Sequence, residues 1–203
     1  MDKPSTKEEI LNVAMDLFSQ KGFEATSMSM IADAVGVRKA SLYSHFKSKQ
    51  AILDELVNMV LVNYSRHSIF AREELPLIDY DKDVIEEIST MIKGQIRYII
   101  HDPNVAKGRK MCVIEQFQNK ELSKIQTKHN YQDIMDYFER LIKELIDKKI
   151  LIDDDVTIMA AEFSLPITVW INCCDREPER EEEFMDLVER HIRQFFRMYK
   201  KER

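Results

Sequence analysis

Between Val35 and Ala51 the chain carries no acidic residue, yet Arg38, Lys39, Lys47 and Lys49 fall inside that stretch together with Ser41, Tyr43, Ser44 and His45. Guanidinium, ammonium, imidazole and hydroxyl groups this close together suit a polyanion, phosphate oxygens above all. A solvated charge cluster would have the same composition, so charge alone leaves both readings open. The net charge of -6 argues against nucleic acid until it is divided along the chain. Residues 1–50 hold seven Lys/Arg against six Asp/Glu, and the remainder holds 23 against 30, so a locally basic segment sits on an acidic protein. Other chemistry has no footing. There is no Gly-rich phosphate loop, no His/Cys/Asp/Glu set at metal-ligand spacing and no Ser or Cys in a nucleophile motif, so neither an enzyme nor a metal or cofactor site is expected. Cys112, Cys173 and Cys174 are odd in number, and adjacent cysteines rarely bridge, so all three read as buried or interface thiols.

These groups need a rigid carrier, and the chain is written as helices. Four glycines and five prolines in 203 residues are too few for the turns of a sandwich or barrel. Ser5 with Glu8, or Thr6 with Glu9, offers a capping box for a first helix. Its apolar face is Ile10, Ala14, Leu17 and Phe18, and Gly22 ends it. Thr26 and Ser27 cap a second helix through Ala34, Gly36 supplies a tight turn, and a third helix runs from Arg38 to Phe46. Ser48 opens a long fourth helix with Ile52, Leu53, Leu56, Val57, Val60 and Leu61 inward. Three short helices and a long one, with a glycine turn between the second and third, have helix-turn-helix geometry. The inward set Leu17, Phe18, Ile31, Ala32, Val37, Leu42 and Phe46 leaves Arg38, Lys39, Ser41, Tyr43, Ser44 and His45 outward, on a rod that fits the major groove of B-DNA.

Past a connection from Ala71 to Asp83, long amphipathic helices are expected at Asp83–His101, Val105–Phe117, Leu122–Lys148, Asp154–Cys174 and Pro178–Lys200. No apolar run approaches the ~20 residues of a membrane span. The N-terminus lacks a secretory signal, so a cytoplasmic protein is expected. Pro166 should kink its helix. Met91, Tyr98, Met111, Phe117, Tyr137, Phe138, Met159, Phe163 and Trp170 could line an apolar ligand cavity, although residues at helical spacing also make plain core. Among them His129, Glu115, Gln116 and Asn172 could orient a ligand. A stripe of Phe184, Leu187, Val188, His191, Ile192, Phe195 and Tyr199, with Phe163, Ile167, Trp170 and Ile171, marks the last two helices as the expected dimer seam. Packing within one protomer is the alternative.

From Thr26 to Lys49 the pattern is specific. Ile31-Ala32, Gly36-Val37, Leu42-Tyr43, His45-Phe46 and Lys49 stand at spacings that resemble the DNA-binding domain of TetR-type regulators, over roughly residues 5–60. The resemblance implies an all-α fold with a helix-turn-helix domain over residues 1–48 and a helical ligand-binding and dimerisation domain over 49–203. It implies a homodimeric repressor on a palindromic double-stranded operator, with half-sites about one helical turn (~34 Å) apart, released by a small-molecule effector. It also implies that Tyr43, His45 and Lys49 hold phosphates, joined by Thr26 or Ser27 at the start of the second helix. Arg38, Lys39, Ser41 and Ser44 would then face base edges. Arg38 stands where the family commonly has Ser, and Ala40 where it has Gly, departures that bear on the operator sequence. A protein-interaction module and a ligand-independent regulator are the rival readings.

Overall fold

Ten α-helices carry the regular structure in the computed structural model, which describes residues 5–201, and no strand occurs among those residues. They are α1 (Thr6–Lys21), α2 (Met28–Val35), α3 (Lys39–His45), α4 (Lys49–His67), α5 (Val84–His101), α6 (Pro103–Glu115), α7 (Lys120–Thr127), α8 (Asp133–Asp147), α9 (Val156–Cys174) and α10 (Glu181–Tyr199). The all-α architecture is the expected one. The helix starts follow capping chemistry: Ser5 and Glu8 close a capping box on α1, Asp83 caps α5 and Asp155 caps α9. Two details depart from the sequence pattern. The helix expected from Leu122 to Lys148 is α7 and α8 joined by a π-helical turn, Lys128–Gln132, and the last helix is preceded by a 3-10 turn, Pro178–Arg180.

Packing divides the chain into two units, one of residues up to 66 and 103–126, the other of residues 67–102 and 127 onward. In the first unit α4, α6 and α7 share a core with α1–α3. Ile10, Phe18, Ile31, Leu42, Ile52 and Leu56 are sealed in that core with Met111 and Leu122. Gly108 lets α6 lie close on α4: a Cβ there would stand 2.6 Å from Val60 Cγ2.

In the second unit α8, α9 and α10 surround a run of rings. Phe138 lies 5.0 Å from Phe163, Phe163 4.9 Å from Phe195, and Phe195 4.9 Å from Tyr199, centroid to centroid. Edge-to-face and tilted ring pairs of this kind contribute roughly 0.5–1.5 kcal/mol each beyond their burial. This packing corrects the expected dimer stripe. Phe184, Val188, Ile192 and Phe195 of α10, and Phe163 and Ile167 of α9, are buried inside their own protomer. His191 is half-buried and donates from Nε2 to Phe163 O at 3.0 Å, in the carbonyl row beside Pro166. What α9 leaves outward is Ile158, Leu165 and Val169, the last 57% exposed. Apolar on both faces, α9 is long and apolar enough to cross a membrane by length and composition, against the expectation that no such run exists. Its inner residues Met159, Ala160, Phe163 and Ser164 are in the core of the second unit.

Candidate nucleic-acid interface

The turn between α2 and α3 is fixed by its backbone. Ser27 caps α2 by accepting from Met30 N at 3.1 Å. At the other end Gly36 is left-handed (φ 79°, ψ 27°), and Val37 N donates to Ala32 O at 3.0 Å. Nothing lies within 4 Å of a Cβ placed on Gly36, so the backbone angle alone asks for glycine. Arg38 O then accepts from Ser41 N at 2.8 Å and Leu42 N at 3.1 Å, which starts α3. Leu42 is the buried anchor of this seven-residue helix. Arg38, Lys39, Ala40, Ser44 and His45 are exposed, Tyr43 is 39% exposed, and Ser41 is half-buried with its carbonyl accepting from Ser44 Oγ at 2.6 Å. A short rod thus presents basic and hydroxyl groups outward, held by one aliphatic side chain and by Phe46 just beyond it.

Two of the residues expected to grip phosphate have work inside the protein. Thr26 is 1% exposed and its Oγ1 donates to Gly22 O at 2.8 Å, so its side chain secures the α1–α2 turn and leaves the start of α2 to Ser27. Lys49 Nζ donates to Phe23 O at 2.6 Å and lies 4.1 Å from the centre of the Phe23 ring. An ammonium has three donors, so Lys49 keeps two for other acceptors. The backbone of the same residue is held from α6, where Phe23 N donates to Glu115 Oε1 at 2.6 Å. Glu115 is 6% exposed and closes α6, an end where the helix dipole disfavours a carboxylate. The charge-assisted bond to Phe23 offsets that cost. A Cβ on Gly22 would stand 3.1 Å from Glu115 Oε1, so this junction is close-packed. Glu115 was expected among ligand-orienting groups. Its partner is 92 positions away in sequence, and no local pattern announces it.

Residues 10–56 match the family described as bacterial regulatory proteins, tetR family. Over that segment the chain is similar to the TetR family. Among similar proteins, the HTH-type transcriptional repressor KstR2 of Rhodococcus jostii is 42% identical over 55 residues, 27% of each chain. The biofilm operon icaADBC HTH-type negative transcriptional regulator IcaR of Staphylococcus aureus is 32% identical over 114 residues, 45% of this chain and 61% of that protein. The chain therefore covers less than two thirds of either relative. A solved SmeT–triclosan complex, SmeT being the repressor of a Stenotrophomonas maltophilia efflux pump, superposes with a TM-score of 0.66 at 19% identity, over 98% of this chain and 93% of that one. At that identity the likeness is one of fold.

The residues expected around a ligand are divided between the two packing units. Met91, Phe138, Met159, Phe163 and Trp170 belong to the second unit's apolar cluster, with Phe138, Met159 and Phe163 fully buried. Tyr137 is buried there too, and Tyr98 is half-buried with its ring 6.0 Å from that of His67. Met111 lies in the core of the first unit, and Phe117, just past α6, is 86% exposed. Those two belong to the first unit and the other expected cavity-lining residues to the second. Gln116 spends its amide on Val113 O at 2.9 Å. His129 is half-buried, and burial holds its imidazole below the usual histidine range.

Proposed function

We propose that the protein is a transcriptional repressor that binds a palindromic operator as a homodimer and is released by a small-molecule effector. The observation that carries this reading is the exposed, acid-free α3, anchored by Leu42 inside the segment similar to the TetR family. Arg38, Lys39, Ser41 and Ser44 read base edges, where Arg and Lys donate to guanine acceptors. Tyr43, His45, the free donors of Lys49, and Ser27 at the start of α2 hold the phosphates on either side. Repression is the named role of KstR2 and the negative regulator IcaR, and the SmeT–triclosan complex supports sensing of a small organic molecule. Residues 1–48 do the reading and 49–203 the sensing and dimerisation, in the cytoplasm where the chromosome is.

One reading head makes too few contacts for operator-level specificity, and two-fold symmetry doubles them. The outward apolar face of α9, Ile158, Leu165 and Val169, is the seam this reading assigns to the dimer. The test is selection of bound sequences from random duplex DNA, followed by footprinting. An inverted repeat with half-site centres one helical turn apart is the expected result. Recovery of no common sequence would overturn the regulator reading and favour a protein partner for α3.

A further inference from the structure

Tyr137 donates its hydroxyl to Met91 Sδ at 3.3 Å, a soft acceptor that fixes α8 against α5 at that level. Tyr80, just before α5, donates to Glu144 near the end of α8, so the two helices run in opposite directions. One turn on from Met91 along the same face of α5 is Gln95. One turn back from Tyr137 along the same face of α8 is Asp133. Both are more than nine-tenths buried. Gln95 Nε2 has no acceptor and Asp133 Oδ2 has no donor, while Asp133 Oδ1 is taken by Lys128. A buried amide N–H and a buried carboxylate oxygen left unpaired each keep the full cost of leaving water, the more so where the group is charged. The backbone is irregular at this level too: the π-helical turn Lys128–Gln132 leads directly into Asp133, and such turns cluster at functional sites.

We infer that Gln95, Asp133 and Tyr137 form a binding site for a small organic molecule with an apolar body and one hydroxyl head. The head accepts from Gln95 Nε2 and donates to Asp133 Oδ2. The body lies against Met91 and the Tyr137 ring, which Phe70 flanks edge-on at 5.4 Å. A hydroxyl meets both demands at once, whereas an ammonium only donates. A carboxylate ligand would repel Asp133, and a bare hydrocarbon would leave both groups unpaired. That occupancy also dislodges the protein from DNA rests on the repressor reading above, so the experiment separates binding from release.

Phenol, benzyl alcohol and benzene serve as probes on the full-length protein, with binding read by calorimetry and thermal shift, and release by anisotropy on the selected operator. Phenol or benzyl alcohol is expected to saturate the wild type, with affinity reduced at least tenfold in Gln95→Leu and in Asp133→Asn, while benzene binds no more tightly than to those variants. The probe-free protein gives an independent readout. Gln95→Leu should raise its melting temperature, since it removes an unpaired buried group. A lower melting temperature would mean that ordered water or the protein already satisfies Gln95, and would overturn the proposal. So would equal probe affinity in wild type and Gln95→Leu, or failure of both polar probes to bind. Tight binding without change in operator affinity would uphold the site and refute only its role as the effector switch.

Discussion

Glu115 and Lys49 act on the backbone of one residue, Glu115 accepting the Phe23 N–H and Lys49 donating to the Phe23 carbonyl. Replacing Glu115 by Gln keeps an acceptor, so stability and operator affinity should stay close to wild type. Glu115→Leu buries an unpaired N–H and should cost about 1–3 kcal/mol, read as a lower melting temperature with weaker DNA binding. Equal unfolding of the Gln and Leu variants would show that the bond contributes nothing. The thiols offer a second check. Burial pushes the Cys112 thiol up to about 11, so it stays protonated at neutral pH and should resist alkylation in the folded protein. Half-buried Cys173 should be modified first, as peptide mapping by mass would report. At this scale the sequence announced the outward set of α3 well, because polar types at fixed helical offsets need no tertiary information. It did not announce that Thr26 turns inward or that Glu115 reaches the α1–α2 turn. Those depend on contacts between distant segments, which periodicity does not encode.

Elements are placed by two kinds of glycine, and they should fail differently. Gly36→Ala meets open space but a left-handed backbone, a cost of about 1–2 kcal/mol. Gly108→Ala meets Val60 Cγ2 at 2.6 Å, an overpacking of about 1–3 kcal/mol that Val60→Ala should relieve. Thermal or urea unfolding of the two single variants and the double variant checks this. Rescue of Gly36→Ala by Val60→Ala, or no rescue of Gly108→Ala, would contradict it. Caps and breakers made most boundaries legible: Ser5, Asp83, Gly36 and Pro103 each stand at or beside the helix end they predict. The π-helical turn after α7 was not legible, since Lys128 to Gln132 continue a helical composition and the extra residue per turn leaves no mark on it.

Across the whole molecule, the apolar stripe of α10 satisfied the sequence criterion for a seam and was used for the protomer's core instead. Core and interface demand the same periodicity, so only burial distinguishes them. The remaining outward apolar residues on α9 carry the dimer prediction: Val169→Glu should convert dimer to monomer in sedimentation velocity, weaken operator binding, and leave helicity intact. An unchanged sedimentation coefficient would move the seam elsewhere. The central claim is that α3 lies in a DNA groove while cationic and hydroxyl groups hold the strands beside it. Operator affinity measured from ~50 to ~200 mM salt tests it most directly. A linear fall of log K with log salt amounting to at least ~100-fold is expected, with loss of preference for operator over scrambled DNA in Arg38→Ala/Lys39→Ala. Affinity indifferent to salt, or full preference retained in that folded double variant, would contradict it.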